Sequence, residues 1–445
     1  MTLRRPVWAL HVLIVGLALH NLVMAQLWHA GLRGAGLSVV ASWKDVLLVG
    51  ALVAVVVAAR GLPFRFTLVD WLALAFAAFV VVYGIVPQSI LDGHATHKGV
   101  LYAARHDLLP VGAYFLGRSL ALTRAERSRL CHTILVTAAC VAALGLADVY
   151  LVHLSWWRHN GTRGWFRDQL GLTYNGLSGL PENFVYNAGG GDVFRRLVST
   201  FLSPLATGYL LVVALLCVPF RRTFGPPLAL LLFAALLWTH TRAALLALVL
   251  GLLVIVALNR RLLPLGLAIA VAVIGFAFVK EYPHFGPRTH FTAGELKVQE
   301  QHAQTHGTGS NDATSANDAS TSEHLSSLRA GIRTVLHHPQ GYGLGNSGVT
   351  ASRTHVKVEA GESTYTELGV ETGLVGTFVF VAWSLMLLAG LRRLPWIAGA
   401  FAAMLALGLQ TDIIGIPWVA VVVWALAGDA FSSGLPRGEP QSAAD

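Results

Sequence analysis

A polytopic, all-α membrane protein of about twelve transmembrane helices is the fold class this sequence predicts, and three observations predict it. Of 445 residues, 55% are hydrophobic and 12% are charged, a balance that soluble domains of this length do not approach. Apolar runs of about 17 to 25 residues recur from end to end, each long enough to cross roughly 30 Å of hydrocarbon as a helix. Arginines gather in every second short connection between the runs, hence on one side.

The runs fall near residues 7–27, 39–59, 67–87, 100–120, 129–152, 197–219, 226–240, 243–258, 263–279, 365–391, 394–410 and 413–433. The first, behind Arg4 and Arg5, has the look of a signal peptide with a weak cleavage site at "LVMAQ"; because further spans follow, it reads as an uncleaved first helix. Residues 226–258 as one straight helix would extend roughly 50 Å at 1.5 Å per residue, so a break is expected at "WTHTRA". Arg60 and Arg65, Arg118 to Arg129, Arg221 and Arg222, Arg260 and Arg261, and Arg392 and Arg393 mark the cytoplasmic side, which places both termini inside. The same bias accounts for the net charge of +9 without a nucleic-acid partner. Cys131, Cys140 and Cys217 lie in apolar segments, too scattered for a disulfide framework or a zinc site.

The organisation expected is therefore N-terminal helices over 1–152, a first outer loop over 153–196, central helices over 197–279, a large outer loop over 280–364, C-terminal helices over 365–433 and a cytoplasmic tail over 434–445. In the first loop "SWWRHNGTRGWF" suits a headgroup belt or a sugar face. The second carries a low-complexity, disordered stretch over 294–323 and then a helix over 324–338. Leu325, Leu328, Ile332, Val335 and Leu336 recur there at helical spacing, and Pro339 and Gly341 end it. This amphipathic helix is expected to lie along the outer membrane face.

The candidate chemistry lies at the outer ends of the central and C-terminal spans. Arg195 and Arg196 open a span where snorkelling to lipid phosphate and a guanidinium fork for a diphosphate are both open. Arg242 is flanked by apolar residues and needs an anionic partner, from the protein or from a substrate. Gly341, Gly343 and Gly345 in "HHPQGYGLGNSG" can bring backbone amides close to an anion, or form a plain turn. His290, His302, His306, His324, His337, His338 and His355 lack metal-ligand spacing and read as solvated loop residues. Ser363 or Glu362 can cap the helix that begins near Thr364, whereas Glu367 and Glu371 sit one turn apart inside the apolar run. Capping leaves Glu371 unexplained; Arg242 or Arg196 is its natural partner.

An arginine before "STFLSPLATGYLL", the element "THTRAALLAL", the stretch "RAGIRTVLHHPQGYGLG", and "ESTYTELGVETGLVG" with Glu371, Gly373 and Gly376 as Glu-x-Gly-x-x-Gly follow one another in this order. Together they resemble the O-antigen ligase and O-antigen polymerase superfamily of bacterial inner-membrane glycosyltransferases, mainly over residues 195–376. The resemblance implies a fold similar to type C glycosyltransferases. It implies transfer of a glycan from undecaprenyl diphosphate to a glycan or glycolipid acceptor on the periplasmic face, among membrane lipids, with no nucleotide sugar, no cofactor and usually no metal. Carried over, Arg196 or Arg195 and Arg242 would hold the diphosphate, with Arg329 and Arg333 as further contacts and Gly341, Gly343, Tyr365 and Glu371 lining the substrate. Lipopolysaccharide ligases of this kind commonly have His-Asn where this chain has Glu362-Ser363. Glu362 thus takes the place of the suspected base, and a polymerase, or a ligase using an acceptor other than lipid A core, becomes at least as fitting as a lipopolysaccharide ligase. Direct displacement by an acceptor hydroxyl, with Glu362 accepting the proton, predicts inversion. A transporter or lipid flippase is the alternative from another class, with the intramembrane charges lining a path; a scaffold for an envelope complex would leave them without purpose.

Overall fold

The computed structural model describes residues 5–172, 180–181, 183–189, 192–219, 222–289, 293–294, 296–297, 301 and 319–434. Most of the stretch expected to be disordered, His290, His302, His306 and the tail beyond 434 lie outside them. The described residues are mostly helical: α1 (Val7–His29), α2 (Gly34–Ala41), α3 (Trp43–Ala58), α4 (Leu68–Ile85), α5 (His97–Leu120), α6 (Arg124–Leu151), α7 (Leu154–His159), α8 (Pro204–Cys217), α9 (Gly225–Trp238), α10 (Arg242–Asn259), α11 (Leu262–Phe285), α12 (Ala319–His337), α13 (Gly348–Arg353), α14 (Thr364–Gly390), α15 (Pro395–Leu407) and α16 (Trp424–Gly434).

Among the described residues, seven helices are long and apolar enough to cross a membrane, against the twelve expected: α1, α2 with α3, α4, α6, α10, α11 and α14 with the turn that follows it. The shortfall has a physical reason. α8, α9, α15 and the segment Val419–Ser433 are apolar but only 10–17 residues long, and Pro204, Pro226 and Pro395 start three of them late. α5 is long enough but carries Lys98, Arg105, His106 and Asp107 in its first half.

Small residues set the helix crossings. A Cβ on Gly251 of α10 would lie 3.0 Å from the Gly399 carbonyl, and one on Gly399 of α15 would lie 2.6 Å from the Gly251 carbonyl, so these backbones touch directly, as membrane helices do where small residues meet. α6 and the end of α8 are joined by a Cys131–Cys217 disulfide, a pairing hidden by a sequence separation of 86. Helix packing thus brings two of the three scattered cysteines together, while Cys140 stays free and exposed.

Two ends of the bundle differ in kind. At one, ion pairs tie helix termini: Arg5 to Glu126 at 2.9 Å, Arg127 to Asp429 at 2.7 Å and Arg118 to Asp70 at 3.0 Å. Asp70 is wholly buried, and also accepts from Tyr114 Oη at 2.7 Å and from the Thr67 amide at 2.7 Å.

At the other end the loops are structured. The Thr364 amide donates to Gly408 O at 3.0 Å, Arg353 Nε to Leu170 O at 2.9 Å and the His94 amide to Asn346 Oδ1 at 2.7 Å. The first loop is more than coil: β1 (Val185–Gly189) and β2 (Asp192–Arg195) pair antiparallel, and β3 (Arg288–Thr289) adds to β2. Its tryptophans are anchors as well as surface: Trp157 and Trp165 are buried in a core with Phe166 and Phe184, and only Trp156 stays exposed.

Because a buried carboxylate that loses its cation, or the reverse, costs about 3–5 kcal/mol, Asp70→Ala is expected to lower the stability of the detergent-solubilised protein by that order. Denaturation followed by tryptophan fluorescence measures it, and an unchanged curve would deny the pair its role.

Candidate functional site

The site grows from the break between α9 and α10. At Thr239–Thr241 the chain leaves the helix, with His240 at φ +49°, and the last carbonyls of α9 lose their intrahelical partners. Arg196 supplies the missing donors: its Nε reaches Thr239 O at 2.9 Å, and its Nη2 reaches His240 O at 3.2 Å and Thr241 Oγ1 at 3.1 Å. Nη1 donates to Asn183 Oδ1 at 3.0 Å, and the neighbouring Leu197 amide closes the corner on Trp238 O at 2.9 Å. The sequence reading gave Arg196 to a diphosphate; its donors instead face the protein and hold the corner from which Arg242 starts α10.

Arg195 is likewise spoken for. Its guanidinium pairs with Asp148 of α6 at 3.2 Å and donates to Val152 O at 3.0 Å, an anchor for the first loop. Both members of the Arg195-Arg196 pair are buried.

The corner is electropositive. Burial, reinforced by the Arg242 charge, pushes Arg196 down to about 10, which leaves it cationic at neutral pH. His240, stacked on Tyr282 at 4.6 Å and tilted against Tyr186 at 4.3 Å, is pushed down to about 3 by burial and then by Arg196 and Arg242, so it stays neutral. Two guanidiniums bear on a ring that carries no compensating charge.

Across from the corner lies α12. It packs on α14 through Gly331 against Thr366 and Val335 against Gly369, while Leu325, Ile332 and Leu336 remain exposed, leaving the amphipathic face free. Arg329 and Arg333 are exposed on the same helix. From its first half His324 Nδ1 meets Glu362 Oε2 at 2.7 Å. That hydrogen bond raises His324 above its ordinary value, against burial and the charge of Arg242, so Arg242 and the pair are electrostatic neighbours. Glu362 sits at φ +70°, a region that L residues enter at a cost and that recurs at functional sites. The expected cap is not made: Ser363 Oγ turns to Gly408 O at 3.0 Å, and the Glu362 side chain goes to His324.

The glycine loop serves α14. That helix is kinked at Gly373 (φ 69°, ψ 177°), and the freed backbone is taken up by the loop: the Tyr342 amide donates to Val370 O at 2.7 Å and the Leu374 amide to Pro339 O at 2.9 Å. A Cβ on Gly341 would come within 2.7 Å of the Gly373 nitrogen, and one on Gly343 within 2.9 Å of Gln88 Nε2. Both therefore face protein. Tyr365 Oη donates to Leu405 O at 2.7 Å, fixing α14 to α15.

Glu371 has different partners from those the sequence suggested. It accepts from the Gly345 amide at 3.0 Å and lies with His106 and Asp107 of α5, potential ligand atoms of all three falling within 4.8 Å of one another. His106 contacts Asp107 Oδ1 through Nδ1 at 2.8 Å and Asp412 Oδ2 through Nε2 at 2.8 Å. Sequence reading missed His106, Asp107 and Asp412, and took His324 for a solvated loop residue where it pairs with Glu362. The charged triplet Arg105-His106-Asp107 in mid-helix was the available signal for the first two.

The structure thus brings Arg196, Arg242, His324 and Glu362 to one end of the bundle, with Glu371 deeper, Arg329 and Arg333 on the outer helix, and Arg195 turned away. If the Glu362 bond sets the His324 charge, Glu362→Gln is expected to lower the His324 pKa toward or below the ordinary value of about 6.5. As a raised group, His324 contributes stability fully present below the unfolded pKa and lost as pH rises through the folded one. Histidine NMR on selectively labelled protein reads both; an unmoved titration would contradict the pairing.

No curated protein sequence matches the chain. Residues 227–381, from α9 to the middle of α14, match the family model described as O-antigen ligase, which supports a glycosyltransferase-like ligase role in polysaccharide assembly.

Proposed function

We propose, on the premise that residues 227–381 are an O-antigen ligase domain, that the protein transfers a glycan from undecaprenyl diphosphate to a sugar hydroxyl of a glycan or glycolipid acceptor. The reading places this at the periplasmic face of a bacterial inner membrane, with both termini cytoplasmic. The observation that carries it is the neighbourhood of a doubly cationic corner and a His324–Glu362 pair: one suits a diphosphate, the other a hydroxyl proton.

In the proposed step Glu362 accepts the proton of the acceptor hydroxyl while the oxygen attacks the anomeric carbon. The bond from that carbon to the diphosphate oxygen breaks, undecaprenyl diphosphate departs, and configuration inverts. His324 holds the carboxylate by its 2.7 Å hydrogen bond, and the strained backbone at Glu362 fixes its direction. Arg242 stabilises charge developing on the leaving group. Arg329 and Arg333 extend the cationic lining, and Arg196 keeps the corner in place. Diphosphate is already a good leaving group, so orientation and preorganised charge are the main contributions of these side chains. No cofactor enters the step. Clustering of the cations at a loop-rich end favours this reading over a transporter or flippase, whose charges would line a path through the midplane.

With protein in proteoliposomes, a lipid-linked oligosaccharide and an acceptor glycan, Arg242→Ala is expected to reduce turnover about 10²–10³-fold and Glu362→Ala about 10²–10⁴-fold. Normal product formation by both variants would overturn the role assignments. The length of the product separates a single ligation from a growing chain.

A further inference from the structure

The proposed transfer leaves unused a buried group on α5, α14 and the loop before α16. Four carboxylates, Asp107, Glu367, Glu371 and Asp412, face a single imidazole, His106. All four are at least nine-tenths buried or held against His106, with Asp107 at 0%, Glu371 at 3% and Glu367 at 7% exposure. Carboxylates in such surroundings are expensive unless paired, and even a fully protonated His106 offsets only one of them.

Two further observations point to a missing positive ligand. Asp107 Oδ2 is buried and receives no hydrogen bond from a donor group, its near neighbour being the Glu371 carboxyl. Glu367, one turn from Glu371, makes no side-chain hydrogen bond or ion pair among the described residues, although it feels the charges of Asp412, His106, Glu371 and Asp107. A proton shared between Asp107 and Glu371 would quiet that pair and leave Glu367 as it stands.

We propose that Asp107, Glu371 and the Nδ1 of His106 form a binding site for a divalent metal ion, within the field of Glu367. Their ligand atoms lie within 4.8 Å of one another, a span one ion can bridge. The 2.8 Å contact of His106 Nε2 with Asp412 is the carboxylate–histidine arrangement that orients a metal-bound imidazole and fixes its tautomer. Two carboxylates with one imidazole suit Mn²⁺ or Zn²⁺. The ion would tie α5 to the first turns of α14, just beyond Glu362, in a structural part; the proposal stands apart from the transfer chemistry and does not depend on it.

The test uses full-length protein in detergent, stripped with chelator and then titrated with Mn²⁺ or Zn²⁺ alone. Wild type is expected to bind one equivalent of at least one ion, read by Mn²⁺ electron paramagnetic resonance and by calorimetry, and to melt at higher temperature when loaded. Glu371→Gln and Asp107→Asn are expected to lose that binding by tenfold or more. Asp412→Asn is expected to weaken it about 10–100-fold through the imidazole. Metal-free, the two ligand variants should be no less stable than wild type, because each removes a repelling charge. Wild type that takes up neither ion, or ligand variants that bind as tightly as wild type, would overturn the site; stability that follows pH while ignoring both metals would assign the cluster to shared protons and overturn it equally.

Discussion

The hydrogen bonds from Arg196 to the Thr239 and His240 carbonyls and the Thr241 hydroxyl are the constraint on which the rest of this end depends. A helix hairpin that turns among loops leaves carbonyls without partners, and each is costly where water is scarce. One guanidinium, with donors in a fixed fork, satisfies two of them at once. Its side chain also brings positive charge into the corner, beside the first residue of α10. The same contacts that end α9 therefore put the Arg196 cation within the field of the Arg242 charge. Structure and electrostatics at this corner share one cause.

The kink at Gly373 plays the matching part on the other side. A straight α14 would leave no gap for the loop 339–343, which takes the freed Val370 carbonyl and offers Pro339 O in return. That loop ends α12, so the kink sets the position of the helix bearing His324, and thereby the meeting of His324 with Glu362. Buried carboxylates gather on the inner side of the same turn, where Glu371 faces α5.

The class of fold was legible in hydropathy because each run needs only length and greasiness to be seen, and the break at "WTHTRA" followed from helix length alone. The helices Pro204–Cys217 and Pro395–Leu407 came out shorter than the apolar runs that contain them, since prolines reset where each helix starts. The arginines, Glu362 and Glu371 could be singled out as charges in apolar surroundings. Their partners could not. Arg195 finds Asp148 across 47 residues, and Glu362 finds His324 across 38; no local periodicity connects such pairs. The glycines of "GYGLG" show the same limit: their spacing suits an anion nest or a close backbone crossing equally, and only the position of α14 decides for the crossing. The Cys131–Cys217 bond was missed for that reason too.

The central claim is that Arg242, at the corner that Arg196 holds in place, and the helix α12 hold the diphosphate of a lipid-linked glycan. Photo-crosslinking with an undecaprenyl diphosphate analogue carrying a photoreactive group beside the phosphates, followed by peptide mapping, tests it most directly. The account predicts adducts on 239–243 and on 324–333, competed away by unlabelled lipid. Competable adducts confined to the opposite end, around Asp70 and Arg118, would contradict it.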